Sequence, residues 1–150
     1  MLRPLFAFAA LVGLAAPSSP ARVAAHDVTV IALDYAYQSP DTLPAGMTTF
    51  SLQNKGKVLH EVFIARLPKT VTVAEFVRAA QQLNFMDLAK AHTDGIPPGV
   101  LFASPGETSP ARLSIDLDRG RTYMLFCNLR DTPQSQRHNA MGMFRPIVVK

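Results

Sequence analysis

Several short stretches of the chain alternate between apolar and polar residues. The cleanest is Ala111–Leu117, where Ala111, Leu113, Ile115 and Leu117 stand against Arg112, Ser114 and Asp116. A period of two places such sets on opposite faces of a β-strand. Met47–Asn54 repeats the pattern, with Phe50 and Leu52 on one face and Thr49, Ser51 and Gln53 on the other. Asp27–Leu33, Val58–Ala65 and Thr122–Cys127 are strand-like apolar runs, and Met143–Lys150 reads as a last strand. Turn signals separate these runs: Ser39–Gly46 with its two prolines, Lys55-Gly56-Lys57, and Asp118-Arg119-Gly120. Short strands patterned one face in and one face out predict an all-β chain, a β-sandwich or barrel.

One segment departs from this pattern. Thr72-Val73-Ala74-Glu75 has the spacing of a capping box, with Thr72 as the N-cap and Glu75 three residues on. Beyond it Val73, Phe76, Val77, Ala80, Leu83 and Leu88 recur at roughly helical spacing. A single helix inserted over about residues 73–91 is predicted, ended by a loop holding Pro97, Pro98 and Gly99.

The first 25 residues stand apart. Arg3 precedes a twelve-residue apolar run, Leu5–Ala16, and a Pro/Ser stretch leads to Val23-Ala24-Ala25. This is the layout of a secretory signal cleaved after Ala25, and the run is too short for the roughly twenty apolar residues of a membrane span. The expected organisation is a signal over residues 1–25 and one domain over 26–150, exported, and periplasmic if the source is bacterial. Composition agrees with a folded domain: 48% apolar against 17% charged residues is the wrong balance for disorder. Without Arg3 and Arg22, thirteen cationic side chains face eleven acidic ones, leaving a charge of +2. That bias is too weak to predict a nucleic-acid partner.

The one cysteine, Cys127, excludes an internal disulfide. In an oxidising compartment an unpaired thiol is either an inert core residue or a metal ligand. Four histidines accompany it, His26, His60, His92 and His138. His60 shares strand parity with Val62 and Ile64, so its imidazole points to an apolar face, where it needs a partner. Cys127 ends one predicted strand, His138 lies in the loop that follows, and Met143 opens the next strand. Together with His60 they make two imidazoles, one thiolate and one thioether. Such a set suits a blue-copper site, His₂Cys with a weak axial Met, in which one compromise geometry serves both Cu(II) and Cu(I).

In these residues the chain resembles the cupredoxins, the superfamily of plastocyanin and azurin. The resemblance runs through Leu43-Pro-Ala-Gly46, Thr49-Phe-Ser-Leu-Gln-Asn54, Gly56 and His60 to Tyr123, Cys127, His138 and Met143. The segment His138-Asn-Ala-Met-Gly-Met143 is similar to the closing His–Gly–Met segment of plastocyanins. The resemblance implies a cupredoxin-like Greek-key β-sandwich that binds one type 1 copper through His60, Cys127 and His138 with Met143 axial. Met141 is the alternative axial donor, with spacing in favour of Met143.

Two features depart from the family pattern. Ten residues separate Cys127 from His138, more than in small blue-copper proteins and closer to copper nitrite reductases, and so long a loop is expected to expose or loosen the site. Glu61 stands where plastocyanins and azurins commonly carry the Asn that ties down the Cys-bearing loop, which leaves that support unassigned.

The function implied is one-electron transfer by an exported monomer without a membrane span. The family's C-terminal histidine lies near the surface as the electron port. Arg130, Arg137 and Arg145 around the loop would then steer an acidic redox partner, or serve only as solvated charge. Two other readings stay open: a periplasmic copper-delivery protein, and a metal-free scaffold that binds a partner. His26 at a mature N-terminus could chelate copper, although the plain reading is a cleavage that falls before a histidine. His92, following the predicted helix, reads as a surface residue. No enzyme is expected. There is no Ser-His-Asp pattern, phosphate loop or zinc signature, a binuclear copper centre needs two cysteines, and a nitrite reductase needs a second domain.

Overall fold

The computed structural model describes residues 25–150, so the predicted signal lies outside the described residues apart from Ala25. Two β-sheets face each other. The strands of the first are β1 (His26–Leu33), β2 (Ala36–Gln38), β4 (Gly46–Asn54) and β7 (Leu113–Leu117), in the order β2-β1-β4-β7. The second contains β3 (Thr42–Leu43), β5 (His60–Arg66), β6 (Val100–Ala103), β8 (Thr122–Phe126) and β9 (Phe144–Val149), in the order β3-β9-β8-β5-β6. β1 runs parallel to β4, and β3 parallel to β9; the other pairings are antiparallel.

The alternation read from the sequence decides which side chains meet between the sheets. In β4, Thr48, Phe50, Leu52 and Asn54 are fully buried. Phe50 and Leu52 share one core with Val30 of β1, Val62 and Ile64 of β5, Leu125 of β8 and Ile147 of β9 among others. On the outer face of the first sheet, Thr49 and Ser114 join their hydroxyls at 2.9 Å, as a solvated face allows.

The second sheet is buried on its other face as well. The inserted region is two helices, α1 (Val73–Gln82) and α2 (Phe85–His92), where one was predicted. Thr72 and Glu75 form the expected capping box. The break has a local cause. Leu83 is extended and closes α1, and Asn84 caps a new helix by accepting the Asp87 N–H at 3.0 Å. The apolar face of the pair lies on the outer side of β5 and β8, where Phe76, Ala80 and Leu88 meet Ala65, Met124 and Phe126. An aromatic stack reinforces this layer, with Phe63 4.5 Å from Phe85 and 5.3 Å from Phe126 between ring centroids. The continuous apolar reading of Tyr123–Phe126 follows from being covered on both faces. Among the described residues, no helix is long and apolar enough to cross a membrane.

Candidate metal centre

His60 opens β5 on the parity of Val62 and Ile64, facing the space between the sheets, and is fully buried. The loop that delivers it is pinned from below. Asn54, buried at the end of β4, donates to the carbonyls of Val58 at 2.7 Å and Ala103 at 2.9 Å and accepts the Gly56 N–H at 2.8 Å. Asp34 accepts the Lys57 N–H at 2.7 Å.

Cys127 immediately follows β8 and is also fully buried. The ten residues after it fold back on themselves, and the expected loosening is not found. The His138 N–H bonds to the Leu129 carbonyl and the Asn139 N–H to the Cys127 carbonyl, both at 2.8 Å. Thr132 and Ser135 close a turn within the loop, and Arg137 donates to the Leu83 carbonyl at 2.6 Å, tying the loop to the end of α1. A 3₁₀ turn, His138–Met141, ends at Gly142 with φ of +108°, a backbone that favours glycine. That reversal returns the chain so that Met143 donates its N–H to the His138 carbonyl at 2.9 Å and accepts the Cys127 N–H at 3.2 Å.

Donor atoms of His60, Cys127 and His138 all lie within 4.8 Å of one another, and all three residues are buried. Cys127 Sγ is 3.3 Å from His138 Nδ1. The two imidazole rings meet edge to face with centroids 5.1 Å apart. Met143 is fully buried in the same core as Cys127, whereas Met141 is only partly buried in the 3₁₀ turn. Both ring nitrogens of His60 are buried without a hydrogen-bond partner. A buried polar atom in that condition is costly unless something binds it.

Burial sets the resting protonation of both kinds of donor. Burial, with help from nearby His138, lowers the His60 pKa and favours the neutral ring that can donate a lone pair. Burial pushes the Cys127 thiol up to about 12, so a metal arriving here displaces the thiol proton. Soft sulfur beside imidazole suits copper or zinc over hard cations.

Four residues around the cluster were not assigned a role from sequence. Glu61, 4% exposed, accepts the Asn128 N–H at 2.9 Å, so a carboxylate supplies the support for the Cys-bearing loop that Glu61 left in doubt. Burial raises its pKa to about 7, and its backbone carbonyl accepts the buried Tyr37 hydroxyl. Asp34 places Oδ1 3.6 Å from His60 Nε2. Asp131 places Oδ1 2.9 Å from His138 Nε2, and its Oδ2 accepts the Tyr35 hydroxyl at 2.6 Å. Tyr35 is the one non-glycine residue with positive φ, 62°, among the described residues. That conformation costs roughly 1–2 kcal/mol. The only sequence signal was the Asp34-Tyr35 pair between two strand runs, since nothing local ties Asp131 to His138.

His138 is only 1% exposed, so it is not the surface port that the resemblance implied. Asp131 and Tyr35 lie over it instead. The three arginines near the loop are partly committed: Arg137 to Leu83, Arg145 to Asp41 and the Ser39 carbonyl, and Arg130 to the Ser135 carbonyl. His26 is exposed at the start of β1, and His92 is half-buried at the end of α2; neither joins the cluster.

The two-sheet sandwich is similar in fold to several solved structures. Among solved structures, the chain is similar to a dithionite-reduced auracyanin from Roseiflexus castenholzii, with a TM-score of 0.52 and 18% identity over 83% of this chain and 96% of that one. It is also similar to auracyanin A, a "blue" copper protein from Chloroflexus aurantiacus, with a TM-score of 0.51 and 16% identity over 85% of this chain and all of that one. An azurin from Methylomonas sp. strain J matches with a TM-score of 0.50 and 15% identity over 83% and 98% of the two chains. No family model matches the sequence, and no curated protein matches it significantly.

Proposed function

We propose that this chain is a type 1 copper protein that carries single electrons. The observation that carries the reading is the buried convergence of His60, Cys127 and His138, with the His60 ring nitrogens unpartnered. Met143 is the axial donor in this reading, supported by its complete burial and its two main-chain bonds to the ligand-bearing segments. Copper would supply the Cu(II)/Cu(I) couple. The protein holds the two rings and the sulfur on rigid strand ends and a bonded loop, so little has to move between oxidation states. The apolar core around Cys127 keeps water away from the thiolate.

The proposed arrangement of the chain is a signal over residues 1–25 and a copper domain over 26–150 that works outside the cytoplasm. A binding module without catalysis accounts for a site whose three donors are all buried. The partner is a redox protein. A surface hollow of about 350 Å³, lined by Val58, Leu59, Pro105 and Leu129 with Lys57, Arg130 and Asp131, lies next to the centre and offers an apolar seat. Lys57 and Arg130 at its edge suit a partner with an acidic rim.

An absorption spectrum of the Cu(II)-loaded protein tests the reading. An intense visible thiolate-to-copper band that disappears in Cys127→Ser is expected, followed by reversible one-electron voltammetry. No band, together with no copper-induced rise in melting temperature, would sink it. A band with ready loss of Cu(I) to an apo-acceptor and no reversible couple would favour copper delivery.

A further inference from the structure

The β1–β2 turn and the Cys127–His138 loop come together above the centre in a way that the ligand set alone does not require. Asp131 Oδ1 is 2.9 Å from His138 Nε2, Asp131 Oδ2 accepts the Tyr35 hydroxyl at 2.6 Å, and the Tyr35 ring stands edge-on to His138 with centroids 5.1 Å apart. Tyr35 reaches this position in a left-handed backbone conformation at φ 62° that bulky side chains avoid. Such an outlier persists where the surroundings hold it, and here the hold is the hydroxyl bond to Asp131 and the packing on the ring.

We propose that Tyr35 and Asp131 form a latch that positions His138 for the metal, fixing which of its nitrogens is free and closing its outer edge to solvent. An ionised carboxylate only accepts hydrogen bonds, so His138 must carry its proton on Nε2 to bond Asp131. That leaves Nδ1, the nitrogen 3.3 Å from Cys127 Sγ, as the lone-pair donor facing the cluster. The far-side hydrogen bond thus selects the tautomer and the ring orientation that ligation needs before any metal arrives. Tyr35 is the second positioning residue, because it holds the carboxylate that holds the ring. Asp34 stands behind His60 only at 3.6 Å, too far for the same control, so the latch is specific to His138.

This inference rests on the copper reading for its purpose, but its structural core is testable in the metal-free protein. The ring nitrogens of His138 can be read by long-range ¹H–¹⁵N correlation in the apo wild type, Asp131→Ala, Asp131→Asn and Tyr35→Phe. Copper(I) affinity is then measured in each by competition with a chromophoric chelator. The wild type is expected to show the Nε2–H tautomer. Asp131→Ala should mix the tautomers and weaken copper(I) binding by about 10–100-fold, the usual cost of removing such a support. Asp131→Asn keeps an acceptor for the Nε2–H and should recover most of that loss, and Tyr35→Phe should lose less than Asp131→Ala. The latch is overturned by an Nδ1–H tautomer in the wild type, by an Asp131→Ala protein unchanged in tautomer and affinity, or by Asp131→Asn losing as much as Asp131→Ala. If Asp131→Ala does not fold, the other two variants decide by the same criteria. A wild type that takes up no copper would end the copper reading and still leave the tautomer to decide the latch.

Discussion

At position 56 a Cβ would stand 2.4 Å from Asp34 Oδ1 and 2.9 Å from His60 Nε2. Glycine is needed there for space, because the turn before β5 passes directly behind the imidazole. Gly56→Ala is therefore expected to push His60 and Asp34 apart and weaken copper binding by about tenfold or more, measured by chelator competition. Met143 and Met141 separate by the same kind of test. Met143→Leu roughly conserves volume in a buried site, so the fold and the visible band should survive. Loss of the thioether should shift the reduction potential, because the axial donor is one of the groups that tunes it. Met141→Leu should leave the potential where it was; a shift there and none in Met143→Leu would reverse the assignment. Glu61 shows what residue-level reading misses. Its type departed from the family pattern, yet its carboxylate bonds the Asn128 N–H.

At the scale of elements, patterning carried most of the weight. Met47–Asn54 and Ala111–Leu117 alternate, and the structure pairs them as β4 and β7 with Phe50 opposite Leu113. The capping box at Thr72 was equally readable, because its two reciprocal bonds span only three residues. Thr72→Ala should cost about 1 kcal/mol, seen as a lower urea midpoint at unchanged slope. Phe76→Ala, which empties a fully buried site between α1 and β8, should cost about 3–5 kcal/mol. The division into two helices was less legible, since Asn84 within an apolar periodicity looks like one polar position until its side chain is seen to cap Asp87. β3 and β6, at two and four residues, were too short to show a period.

For the molecule as a whole, the proposed ligation would join three chain segments. His60 is on β5, Cys127 at the end of β8, and His138 eleven residues further on. A metal that bridges them binds the folded chain and not the unfolded one, so copper should stabilise the protein. At a free concentration a thousandfold above Kd the gain is about 4 kcal/mol, visible as a melting temperature that rises with copper and falls back on chelation. Cys127→Ser should abolish most of that dependence. The same architecture hides the centre: the loop that was expected to open it is instead stitched to Leu83, Cys127 and Leu129.

The sequence alone determined what depends on local order. Side-chain alternation, the capping box and the succession of His60, Cys127, His138 and Met143 are short-range facts, and they were enough to reach a sandwich and a sulfur–imidazole ligand set. Only the tertiary structure decided what depends on contacts across the sequence. Asp131 and Tyr35 are 96 residues apart, and Glu61 and Asn128 are 67 apart. Such pairs leave no local pattern, because a hydrogen bond constrains two positions in space and nothing about the residues between them. The burial of His138 and the closing of its loop belong to the same class. They come from where β1–β2, β5 and β8 end relative to one another, which is fixed by packing the two sheets together.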